Sequence, residues 1–160
     1  MKIIISRHGE AEAKSRSGKD EDRALTPQGI DDINKMSNFI INSPVKVNRI
    51  FYSPYLRTKM TADTYAKALN VKHPAESYDC LAPGNYCNDI ISDLTQFSNS
   101  DTILIVTHVP EVSQFTATLL GMENNLDSMI FSPGTTACIL IPKETFKKGK
   151  LIWFVSPDMI

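Results

Sequence analysis

Cysteine and histidine are scarce in this 160-residue chain, at three residues each, and there is a single tryptophan. Cys80, Cys87 and Cys138 are an odd number with no Cys-x-x-Cys spacing, which argues against a disulfide framework and, with so few histidines, against a zinc site. Reduced, structural thiols and no metal are expected. Long apolar runs are missing too: Met1-Lys2 leads to only three isoleucines before Ser6, Arg7 and His8 break the run. That is too short for a signal-peptide core or a membrane span, so a cytoplasmic protein without membrane contact is expected.

Basic residues are absent from a whole stretch. Residues 73–142 contain no Lys or Arg against eight Asp and Glu, whereas residues 1–72 hold 13 of the 17 Lys and Arg. Two readings stand side by side: fluctuation along a solvated surface, or an N-terminal half that attracts an anionic substrate while the acidic half orients it. Neither suits nucleic acid, which calls for a clustered basic stripe.

What is present is ordinary globular material, 42% hydrophobic and 22% charged. The length suits one domain over residues 1–160, large enough to bury roughly 70% of the surface of its unfolded chain.

The pattern along the chain alternates strands and helices. Ile3-Ile4-Ile5 centres a short buried strand over 2–6, followed by a glycine-containing turn at Arg7-His8-Gly9 and a charged loop from Ala13 to Ala24. That loop is a solvated segment or a rim for substrate. Thr26 and Pro27 read as N-cap and first residue of a helix carrying Ile30, Ile33, Met36, Phe39 and Ile40, ended by Asn42-Ser43-Pro44. Val47–Tyr52 reads as a strand, and a helix from Tyr55 to about Leu69 follows with Leu56, Met60, Tyr65, Ala66 and Leu69 near one face.

After an irregular stretch with a short strand near Glu76–Tyr78, a helix is expected over Asn88–Phe97. Ile103–Val106 is the clearest strand, apolar throughout and suited to a central position buried on both faces. A helix over Glu111–Leu120, closed by Gly121, comes next. Two strands, Thr136–Ile141 and Leu151–Val155, form a hairpin around the turn Lys143–Gly149.

This pattern is that of an α/β fold with parallel strands, whose ligands bind beyond the carboxyl ends of the strands. Arg7 and His8, Arg57, and His108 each follow a different strand at that edge. Taken singly, each has a plain structural reading: a capped turn, a surface helix residue, a satisfied cap. Together they place anion-competent groups around one point.

The ordered set Arg7-His8-Gly9-Glu10, Leu25-Thr26-Pro27-Gln28-Gly29, Ser53-Pro54-Tyr55-Leu56-Arg57-Thr58 and Thr107-His108-Val109-Pro110 resembles the motifs of the histidine phosphatase superfamily, the group that includes phosphoglycerate mutase. The short chain, the Leu81-Ala82-Pro83-Gly84 segment and the His-x-Pro form at 108–110 resemble most its small SixA-type phosphohistidine phosphatases. The resemblance implies a three-layer architecture, a mostly parallel central sheet with helices on both faces. It implies His8 as nucleophile, phosphorylated on one imidazole nitrogen and then hydrolysed. Arg7, Arg57 and His108 would surround the phosphoryl oxygens without metal or cofactor, and Gly9 would let the phosphate approach the backbone.

Substrate is read from what is lacking. Cleaving a phosphate ester calls for an acid to protonate the leaving oxygen, and ester-cleaving relatives carry a carboxylate in the segment after the Arg57-type helix. Here Glu76-Ser77-Tyr78-Asp79-Cys80 lacks that pattern, leaving Glu76, Asp79 and the rim residue Glu10 as candidate donors. Phosphohistidine can depart as a neutral imidazole, and only fifty residues separate Arg57 from His108, little room for a lid. The expected partner is a phosphohistidine-bearing protein, such as a phosphotransfer domain or carrier. The alternatives are a small phosphorylated substrate hydrolysed as a phosphomonoester, and an idle phosphate- or phosphoprotein-binding module.

Overall fold

Three consecutive β-branched residues, Ile3, Ile4 and Ile5, send side chains to alternate faces of strand β1 (Lys2–Arg7), and all three are fully buried. The computed structural model describes residues 1–85, 88–98, 100–122, 129–142 and 148–160. Cys87 and most of the turn expected over Lys143–Gly149 lie outside them. The further elements are α1 (Pro27–Ile41), β2 (Arg49–Tyr52), α2 (Leu56–Ala68), β3 (Glu76–Ser77), α3 (Asn88–Leu94), β4 (Thr102–Thr107), α4 (Glu111–Leu120), β5 (Thr136–Leu140) and β6 (Lys150–Val155).

The six strands form one mixed sheet in the order β3-β2-β4-β1-β5-β6. The first four are mutually parallel, and β5 and β6 join β1 as an antiparallel pair. Period-2 alternation sorts the core into two layers. Ile4, Ile50, Leu104 and Val106 pack with Ile33, Met36 and Ile40 of α1 and with Ala62 and Tyr65 of α2. Ile3, Ile5, Ile103 and Ile105 pack with Ile90 and Leu94 of α3 and with Val112, Phe115 and Leu119 of α4. Helices thus cover both faces, and β4 is buried along its whole length.

Local signals explain most boundaries. The Thr26 hydroxyl accepts the Gly29 N–H at 3.0 Å and Pro27 opens α1. Gly121, at φ 72°, ends α4 in the left-handed region. β2 begins two residues later than expected because Asn48 bonds Thr102 through both its N–H and its side-chain oxygen, standing in for a ladder step.

The face of α2 departs from the expected apolar one. Leu56 is exposed at 37%, while Arg57, Thr58, Thr61, Ala62 and Tyr65 are buried. Hydrophobic periodicity cannot find such a face, because its polar members are buried against hydrogen-bonding partners.

Candidate active site

Strand order brings the expected residues together. β4 lies between β1 and β2, with Arg7 opposite Thr107 and Tyr52 opposite Val106. The pairing continues past the strand ends: the His8 N–H donates to Thr107 O at 3.1 Å and the Ser53 N–H to Val106 O at 3.1 Å. His8 and His108 therefore meet at the carboxyl edge, their ring centroids 5.2 Å apart and planes inclined at 61°.

His8 is 8% exposed. Its Nδ1 lies 2.7 Å from Gly9 O, and a carbonyl can only accept, so Nδ1 carries the proton and Nε2 keeps its lone pair. The Arg57 Nε–H donates to that Nε2 at 3.3 Å. Burial pushes the imidazole down to about 4; Arg57, Arg7 and Arg23 act in the same direction, against the Gly9 hydrogen bond. At neutral pH His8 is an uncharged imidazole with an available nitrogen.

The buried stripe of α2 runs beside the exit of β1. Tyr65 OH and Ser6 Oγ are 3.2 Å apart, Thr61 Oγ1 accepts the Gly9 N–H at 3.1 Å, and Arg57 reaches His8. Residues one helical turn apart thus hold three successive points of the β1 turn. On its outer side Arg57 NH1 donates to Asp20 O at 2.8 Å and NH2 to Asp20 Oδ2 at 3.0 Å. Asp20 comes from the charged loop, which the sequence marks as a solvated segment or a rim for substrate.

Arg7 and His108 complete the cluster. Arg7 NH1 donates to Phe131 O at 2.7 Å, but its buried Nε has no partner among the described residues. His108, 3% exposed, holds Ser53 Oγ at 2.7 Å from Nε2, and its buried Nδ1 is likewise unpartnered. Burial, with His8 and Arg57 alongside, pushes the His108 imidazole down to about 3. Buried polar groups without a protein partner are rare in native structures, and two such groups beside a tautomer-fixed histidine make a pocket suited to an oxyanion.

Gly9 has a packing role of its own. Its N–H is committed to Thr61, and a Cβ there would lie 2.7 Å from Gly29 O. A Cβ on Gly29 would in turn lie 2.2 Å from Glu10 O. The close approach that Gly9 permits here is to the start of α1.

The carboxylates named from sequence have other partners or none. Glu10 Oε1 accepts from Thr26 Oγ1 at 3.0 Å, Glu76 pairs with Arg49 at 3.6 Å, and Asp79 is exposed. No hydrogen bond or ion pair among the described residues joins any of them to His8, Arg7, Arg57 or His108. Glu111, which the sequence reading passed over, is buried and accepts the Gly84 N–H at 2.7 Å. With the Thr107 hydroxyl bonded to Leu81 O at 3.0 Å, it pins segment 81–84 to the junction of β4 and α4. No group of three or more His, Cys, Asp or Glu among the described residues is placed to hold a metal ion. No helix among them is long and apolar enough to cross a membrane.

Comparison with known proteins adds an independent line. The profile of the histidine phosphatase superfamily (branch 1) matches residues 3–83. The phosphohistidine phosphatase SixA of Escherichia coli K12 is 28% identical over 162 residues, covering 98% of this chain and 94% of the relative. A SixA homolog from Haemophilus influenzae is 31% identical over 152 residues, covering 88% of each. A solved structure of the protein histidine phosphatase SixA complexed with tungstate superposes with a TM-score of 0.88 at 26% identity, covering 99% of both chains.

Proposed function

The chain belongs to the histidine phosphatase superfamily, and from that membership we propose that it is a phosphatase that removes phosphate from phosphohistidine on a protein, through a covalent phosphohistidine formed at His8. The observation that carries the reading is His8 itself. It is buried and neutral, with Nδ1–H held by Gly9 O and the Nε2 lone pair facing the Arg57 Nε–H. Both SixA relatives are phosphohistidine phosphatases by name, and a similar solved SixA structure holds tungstate, a tetrahedral oxyanion like phosphate.

In the first step the Nε2 lone pair forms a bond to phosphorus as the bond to the substrate's imidazole nitrogen breaks on the opposite side. The phosphoryl group passes as a planar, charge-spread species whose oxygens face Arg7, Arg57 and His108. This role for His108 requires the tautomer in which the Ser53 hydroxyl donates to Nε2 and the Nδ1, which has no partner among the described residues, carries the proton. Because Nδ1 of His8 keeps its proton, the phosphorylated ring is cationic, which makes it a good leaving group in turn. Water then attacks phosphorus and His8 departs as the neutral imidazole, the water proton leaving with phosphate.

Donor and acceptor are both imidazoles, so the transfer needs no strong acid. The carboxylate that reaches the site, Asp20, cannot supply one: Arg23 and then Arg57 hold it below the usual carboxylate range, so it stays ionised.

The test is phosphate release from a histidine-phosphorylated protein by wild type and His8→Ala, beside a panel of phosphomonoesters at equal enzyme concentration. Turnover of the phosphoprotein by wild type alone is expected. Efficient release from sugar phosphates with none from phosphohistidine would overturn the substrate assignment.

A further inference from the structure

Arg57 is 5% exposed and every side of its guanidinium is engaged. Its Nε faces His8 Nε2, its carbon lies 4.8 Å over the Tyr55 ring, and NH1 and NH2 are both taken by Asp20, one by the backbone carbonyl and one by the carboxylate. The other carboxylate oxygen, Oδ1, accepts from Arg23 NH1 at 2.8 Å, and Arg23 Nε donates to Glu12 O at 2.5 Å. A chain of contacts therefore runs from the backbone at Glu12 through Arg23 and Asp20 to Arg57, and ends at the attacking nitrogen.

We propose that Asp20 is a positioning residue for phosphoryl transfer, holding the two terminal nitrogens of Arg57 from outside so that its Nε–H is aimed at the space in front of His8 Nε2. The inference rests on the function proposed above for His8. A buried arginine on a flexible stem has many rotamers, and one anchored at both terminal nitrogens by a single residue has its plane and its inward edge defined. When phosphorus approaches Nε2, the Nε–H gives up that nitrogen and turns to an equatorial oxygen while Asp20 still holds the two terminal nitrogens. The carboxylate also offsets one of the three guanidinium charges of Arg7, Arg23 and Arg57, leaving two positive charges to face a phosphate dianion.

The side chain of Asp20 is 57% exposed, so its replacement leaves the core intact. Asp20→Ala should lower kcat on a histidine-phosphorylated protein by about 10- to 100-fold, the scale expected when a catalytic group is displaced by about 1 Å. Asp20→Asn, which keeps an acceptor oxygen and the backbone carbonyl, should recover much of that loss. Because Asp20 acts through Arg57, adding Asp20→Ala to Arg57→Ala should cost less than about twofold further, whereas independent roles would multiply. A multiplicative double mutant, or a kcat/KM that rises in Asp20→Ala because the carboxylate merely occupies Arg57, would overturn the proposal.

A second readout needs no turnover. In nitrogen-15 spectra the Arg57 Nε–H should be sharp and slow to exchange in wild type and broadened in Asp20→Ala. An unchanged signal rejects the positioning role even if the protein proves inactive on every phosphohistidine substrate. Such inactivity with a lost signal rejects the functional reading alone.

Discussion

His8 and His108 leave neighbouring parallel strands at the same level, since Arg7 and Thr107 are register partners, yet their hydrogen bonds differ. His8 is bonded by its own turn, Nδ1 to Gly9 O, which leaves the Nε2 lone pair facing the Arg57 Nε–H. His108 is bonded across the sheet edge, Nε2 to Ser53 at the end of β2, which leaves Nδ1 without a partner. Equal burial thus produces two chemically distinct imidazoles. In the function proposed above, one offers its lone pair to phosphorus and the other, with the Ser53 hydroxyl as donor to its Nε2, offers an N–H to an oxygen. The hydrogen bond on the far nitrogen, rather than position in the fold, decides which.

Replacing each histidine separates these roles, and the largest effect belongs to His8. His8→Ala should form no acid-labile, alkali-stable phosphoenzyme at all. His108→Ala should still form it, about 10²- to 10³-fold more slowly, the cost of one transition-state donor. Rapid-quench labelling with a phosphohistidine donor distinguishes the two, and equal loss of labelling would dissolve the distinction.

A smaller effect is expected at Ser53. Ser53→Ala leaves His108 Nε2 buried and unpaired, costing about 1–3 kcal/mol of stability, and it releases the tautomer. A fall in kcat of roughly tenfold should follow, by the same reasoning that makes the partners of a functional histidine matter nearly as much as the ring. If steady-state rates match wild type, the Ser53 contact does not set the role of His108.

The mildest effect is on pH dependence. Unfolded histidine titrates near 6.5, whereas burial lowers His8 to about 4 and His108 to about 3. As pH falls below 6.5 the unfolded chain therefore gains protons that the folded one refuses. Stability should be full above that value and decline through the window down to about 4 for His8 and about 3 for His108. Thermal melts between pH 7 and pH 4.5 should show a falling Tm, with a shallower slope in His108→Asn. The attacking nitrogen stays unprotonated over most of that range, so kcat/KM should hold to roughly pH 5 before its acid limb. A limb centred near 6.5 would show that His8 is not shielded from water as the structure describes.

The positions of His8, His108 and Arg57 were legible in the chain because the histidines directly follow apolar strands and Arg57 lies in the first turn of the helix after one, and strand order in a parallel sheet gathers such residues at one edge. The Thr26 cap, Gly121 and the β4 run were equally readable, since each acts through its immediate neighbours. The face of α2 was not. Arg57, Thr61 and Tyr65 form a stripe at helical spacing, but it is a polar stripe, buried because β1 offers Ser6, His8 and Gly9 as partners. Asp20 was equally hidden, one of three consecutive acids in a charged loop, and Ser53 looked like a strand terminator. The packing of Gly9 against Gly29 was hidden as well, since the two lie twenty residues apart.

By its order of residues alone the chain determines a strand–helix alternation and the edge at which Arg7, His8, Arg57 and His108 emerge, because those depend on local period and short-range caps. Which group faces Nε2 of His8, which acid holds Arg57, and which side of α2 is buried depend on distances between segments far apart in the chain, 59 residues for Ser6 and Tyr65. Only the packed sheet decides these, since a hydrogen bond is set by approach within about 3 Å and not by separation along the chain.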